Sequence, residues 1–105
     1  MALYSEMTLD ELKEEMKSLQ ELGRNALEDK RWNEYEIHMT KWYLAKSYEI
    51  LPSHSIEVGR RYAIAEEEQE YFTVTGLEGI MAWGFRESTG ETDSLPIARL
   101  EEAPN

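Results

Sequence analysis

The chain contains no cysteine, so disulfides, thiolate metal sites and a cysteine nucleophile are all excluded. That absence fits a reducing compartment, and a cytoplasmic location is the expectation. Basic residues are scarce as well, with 11 Lys and Arg against 22 Asp and Glu, a net charge of −11. An acidic surface repels phosphate backbones and anionic membranes, so neither nucleic acid nor a membrane surface is the expected partner. No apolar run approaches the roughly 20 residues that span a bilayer. The opening "MALYSEMTLDELKEEMK" has no basic start and no long apolar stretch, so it is not read as a signal peptide. Only 6 glycines and 3 prolines interrupt the 105 residues. One domain, 1–105, is expected, with a core of modest size.

What is present divides into two periods. In the first half, Thr8 followed by Glu11 reads as a capping box. Leu9, Leu12, Met16, Leu19, Leu22 and Ala26 then form a helical stripe, which ends near Glu28. "DKRWN" connects to a second helix over about 33–50, and the short link implies an antiparallel hairpin. This helix is crowded with Trp32, Tyr35, Trp42, Tyr43 and Tyr48, too many aromatics for one inward face. Trp32 and Tyr43 are therefore candidate exposed anchors for a partner protein or a second copy. Pro52 closes the hairpin, placed at about 8–51.

Beyond it the period becomes two. "RRYAIAEEE", "QEYFTVTG" and "GIMAWGFR" alternate as strands, and "SLPIARL" reads as one last short strand. A two-residue turn at Glu78-Gly79 sets Phe72 opposite Phe85 and Val74 opposite Trp83. Phe72, Val74, Met81, Trp83 and Phe85 then share one face, expected to be the core. Thr73, Thr75, Ala82 and Gly84 form a small, flat face that another backbone can approach, the expected seat of the second helix. The competing view is an exposed aromatic platform. Over about 56–102, short consecutive strands point to a small antiparallel SH3-like barrel, making the fold class α+β.

"FTVTGLEGIMAWGFRES" with "LPIARL" resembles the small uncharacterised YfhH proteins of Gram-positive bacteria. "SEMTLDEL", "LAKSY" and "VGRRY" extend the resemblance over nearly the whole chain. Glu78 stands where that family's turn tends to carry asparagine. The resemblance implies a helical hairpin followed by an SH3-like barrel. It implies no activity and no catalytic residue, and fold alone would license none.

Little else carries chemistry. Glu34 and His38 are spaced i, i+4, but two ligands are too few for a metal site. His54 in "PSHS" suits a backbone hydrogen bond in its loop. Glu66-Glu67-Glu68 and Glu101-Glu102 read as solvated charge that blunts strand edges. Residues 54–105 hold only 4 Arg and no Lys against 11 Asp and Glu, a balance of −7. Arg60, Arg61 and Arg86 are the basic candidates there, facing either the protein's own carboxylates or an acidic ligand. No cofactor and no enzymatic activity are expected. The expectation is a module that binds another protein or itself, the alternative being a nucleic-acid-associated barrel using those three arginines.

Overall fold

The computed structural model describes residues 3–104 and divides into two compact units, the second beginning at Ile50. In the first, α1 spans Leu9–Glu28 and α2 spans Trp32–Ile50. The capping box forms as expected. Thr8 Oγ1 accepts from the Glu11 backbone N–H at 3.2 Å, and the Thr8 N–H donates to Glu11 Oε1 at 2.9 Å. These bonds satisfy donors that the first helical turn would otherwise leave free. At the other end, Lys30 takes a left-handed φ of 59°. Its N–H donates to the Leu27 carbonyl, and the next N–H, of Arg31, donates to that of Ala26. This is a Schellman closure, which lets the chain turn without proline. α1 buries Leu12, Leu19, Gly23 and Ala26. α2 comes back beside Gly23, where a methyl group would lie 3.5 Å from Met39 Sδ and 3.9 Å from His38 Cβ. Tyr43, Ala45 and Ser47 are the buried positions of α2. The Ser47 hydroxyl donates to the Tyr43 carbonyl at 2.7 Å, so its burial leaves no lost hydrogen bond.

The second unit contains β1 (Arg61–Ile64), β2 (Tyr71–Glu78), β3 (Met81–Arg86), β4 (Thr92–Pro96) and β5 (Leu100–Glu102). They form one antiparallel sheet in the order β4-β3-β2-β1-β5. The outer strands β4 and β5 are not hydrogen-bonded to each other, so the ladder is open where a closed barrel was expected. "SLPIARL" also proves to be more than one strand. β4 ends at Pro96, which lacks the N–H to continue a ladder. A single 3-10 turn, Ile97–Arg99, leads into β5, and the Ile97 N–H donates to the Ile80 carbonyl at 2.8 Å.

The register of β2 against β3 overturns the expected core face. The loop is Gly79-Ile80 rather than Glu78-Gly79, because Glu78 pairs with Met81. Gly79 has φ of 56°, as a II′ hairpin requires at its first loop residue. That shift of two residues alone would keep every side chain on its expected face. Between Val74 and Gly76, however, the pairing slips by one residue. Thr75 is the extra residue of a β-bulge, and its hydroxyl donates to the Trp83 carbonyl at 3.3 Å. Beyond the bulge Val74 pairs with Gly84 and Phe72 with Arg86. A one-residue slip exchanges faces. Phe72, Val74, Ala82 and Gly84 therefore face the core together, while Trp83 and Phe85 face outward.

The core combines Phe72 and Val74 with Tyr62, Ile64, Leu95, Ile97 and Leu100, and Ile50, Leu51 and Ile56 pack against it. Small residues on β3 make room for the large ones on its neighbours. The expected small face of Thr73, Thr75, Ala82 and Gly84 does not form, because the bulge leaves Thr73 outward while Ala82 and Gly84 face the core. What comes close to Gly84 is the backbone of the adjacent strand. A methyl group at Gly84 would overlap the carbonyl oxygen of Thr73 and lie 2.9 Å from the Phe72 ring. Tyr62 pins the entry loop, its hydroxyl accepting from the Glu57 N–H at 2.8 Å. His54 Nδ1 accepts from the Ile56 N–H at 3.1 Å, the expected loop role.

Gly84→Ala should cost about 3 kcal/mol or more, since the obstacle is backbone and cannot rotate away. Urea unfolding measures this, and a cost under about 1 kcal/mol would contradict the close strand approach. Thr8→Ala should cost about 1 kcal/mol through loss of the cap. Hydrogen bonding to the Thr8 backbone and then its hydroxyl holds the Glu11 carboxyl below its ordinary pKa. Its contribution is thus present above the unfolded carboxylate pKa and lost as pH falls through the lowered folded value. Acid unfolding followed by circular dichroism should show a smaller loss over that window in Glu11→Gln, whose side chain does not titrate, than in the wild type.

Candidate functional site

Three rows of paired residues lie on the outward surface of β1 to β4. Across one row Arg61 pairs with Thr73, Thr73 with Phe85, and Phe85 with Thr92. Across the next, Gly76 pairs with Trp83 and Trp83 with Ser94. Met81 follows, between Glu78 and Pro96. Trp83 is 49% exposed and Phe85 36% exposed. Trp83 stands tall because its cross-strand neighbours are short. Thr75, Thr92, Asp93 and Ser94 line a shallow hollow of about 340 Å³ beside its ring. At the β1 end of the same face, the Arg61 guanidinium carbon sits 3.7 Å from the centre of the Tyr71 ring. Arg61 Nε also donates to Glu87 Oε2 at 2.6 Å.

The basic candidates are not gathered into one spot. Alternation along β1 and the register with β2 and β3 put Arg61 on the outward face, while Arg86 shares the inner side with Phe72. Arg60 lies over Tyr62 at 5.5 Å and bonds Glu102 at 3.1 Å. Arg86 is held by Glu67 at 2.7 Å and Asp93 at 3.0 Å. The Glu67 hydrogen bond is the main influence raising the pKa of Arg86, which keeps its guanidinium charged. Arg99 joins the same carboxylate, donating to Glu67 Oε2 at 2.8 Å and to the Ala65 carbonyl at 3.0 Å. Glu67 is therefore not simply solvated charge. It links the β1–β2 loop, the end of β3 and the turn before β5. Nearby, the Ser88 hydroxyl donates to Glu70 at 2.7 Å and holds that carboxyl below its ordinary pKa.

In the first unit, Trp32 is 57% exposed at the start of α2, whereas Tyr43 is 9% exposed. Tyr43 instead meets Trp42 edge to face, with ring centres 5.0 Å apart. Glu34 of the Glu34–His38 pair is bonded to Arg31, which also reaches Asp29 at 3.2 Å. No helix among the described residues is long and apolar enough to cross a membrane.

Comparison with known proteins accounts for the shared motifs. Residues 2–101 match the family described as protein of unknown function, DUF1811. The chain belongs to this family. The uncharacterized protein YfhH of Bacillus subtilis is 36% identical over 100 residues, covering 94% of each chain. The family therefore brings no assigned activity, and the outward aromatic row must be weighed on its own geometry. Sequence reasoning placed Trp83 and Phe85 inside because a bulge leaves no mark on hydrophobic alternation. The available signal was Ala82 and Gly84, small enough to underlie Phe72 and Val74.

Glu67→Gln should cost about 1–2 kcal/mol, between the values for exposed and buried ion pairs, because it leaves two partly buried arginines without their shared charge. Arg61→Ala, at a more exposed pair, should cost under about 1 kcal/mol. Thermal unfolding of both variants at low salt would compare them, and a reversed order would remove Glu67 from its central place.

Proposed function

We propose that this chain is a non-enzymatic cytoplasmic module whose second unit is an SH3-like barrel that binds another protein or a second copy of itself. The barrel reading is supported by the meander β1 to β4 and by the return of β5 to β1 through one 3-10 turn. The observation that carries the interaction reading is the outward row of Trp83 and Phe85, continued by Met81 and Tyr71. Large aromatics on a solvent-facing sheet forgo the burial that would stabilise the fold, and such groups anchor protein interfaces. Trp32 is a second, separate candidate anchor. The non-enzymatic reading is supported by the titratable groups. Glu67, Glu87, Asp93 and Glu102 are engaged by arginines, and His54 by its own loop. The nucleic-acid alternative draws no support from Arg60, Arg61 and Arg86, each bonded to a carboxylate of the chain.

Trp83→Ala separates a binding side chain from a structural one. It should cost about 1 kcal/mol of stability, well below the about 3–5 kcal/mol expected for Phe72→Ala in the core. The same variant should lose proteins retained from a native cell extract, or its self-association in sedimentation. Unchanged retention and unchanged sedimentation with the folded variant would sink the proposal.

A further inference from the structure

We infer that the occupant of the outward face is a basic segment of another protein, which lays a lysine or arginine side chain on the Trp83 ring. This rests on the reading of that face as an interaction surface and names its partner. The first argument is geometric. Gly76 lies across from Trp83 on β2, and its α-carbon has open space where a side chain would start. Ser94 is the neighbour on β4. The indole is thus half exposed, with no side chain across from it at Gly76. Among the described residues no lysine or arginine stacks on it, whereas Tyr71 on the same face already holds Arg61.

That internal pair shows what the face accommodates. A guanidinium lies flat on an aromatic ring with a carboxylate, Glu87, at its edge. Trp83 repeats the ring, with Thr75, Thr92 and Ser94 lining the hollow beside it. Glu78 lies on the same face, beside Met81. The Trp83 ring carries no cation of the second unit, and a partner would supply one.

Charge decides between occupants. All four arginines beyond residue 53 are ion-paired within the chain, and the balance there is −7. Among the described residues of the second unit, no arginine outside these pairs is left to receive phosphates. A second copy brings its own charge of −11 and is repelled. A cationic segment is drawn in by the same field, and Trp is the strongest ring for a cation.

The test uses the full chain, labelled with nitrogen-15 and titrated with a synthetic peptide alternating arginine and glycine. Saturable shifts should centre on the Trp83 indole N–H and the amides of β3, and should weaken with added salt. Binding should fall about tenfold in Trp83→Ala, the size of one cation–π contact. Trp83→Leu keeps apolar bulk without the ring and should fall equally, while its amide spectrum reports whether it is folded. Shifts spread over α1, or unaffected by either variant, would overturn the inference. So would equal engagement of Trp83 by a glutamate–glycine peptide or a single-stranded oligonucleotide. Concentration-dependent shifts of the same signals without peptide would place a second copy there, overturning the basic occupant but leaving the interaction surface standing.

Discussion

The carbonyl oxygen of Thr73 occupies the space where a side chain at position 84 would have to begin. Glycine at that position lets β2 and β3 close on each other, and the rest of the sheet follows from that contact. It sets Val74 over Gly84 and Phe72 beside Arg86. Phe72 and Val74 then fill the inner face, with Leu95 and Ile97 beneath them. Thr75 absorbs the extra residue, and its hydroxyl satisfies the Trp83 carbonyl. The exposed aromatic row is thus a consequence of how the core packs. A bulky residue at 82 or 84 would compete with Phe72 for the same volume.

The electrostatics follow a similar logic. An acidic chain with few cations could leave its arginines on the surface to recruit anions. Here the second unit consumes them internally. Glu67 gathers Arg86 and Arg99, while Glu87 and Glu102 take Arg61 and Arg60. Those pairs tie loops to strands, so the cations stabilise the unit and the remaining surface is negative. The aromatic face sits within that negative field. Its one internal cation, Arg61 on Tyr71, shows the geometry in which the field and the rings act together.

Local signals in the sequence were legible where local physics decides. The capping box at Thr8 and Glu11, the stripe from Leu12 to Ala26, and the stop before Pro52 each depend on residues a few positions apart. The period of two in "RRYAIAEEE" likewise appears as a strand, with the alternate residues Tyr62 and Ile64 buried. Tyr43 was less legible, because a helix with apolar groups on several faces does not say which face is covered. The same limit applied to "SLPIARL". Leu95, Ile97 and Leu100 are all buried, but they follow no single period because a 3-10 turn lies between two strands.

By itself the sequence determined the two helices, the presence and approximate limits of most strands, the acidic balance and the family. Each of these rests on composition, motif or short-range periodicity. Only the tertiary structure decided which surface of the β2–β3 hairpin is inside. Alternation defines two faces without ranking them, and one bulged residue exchanges them at no cost in pattern. What breaks the tie is volume: Phe72 needs Gly84 beneath it, and that contact exists only once the strands are paired.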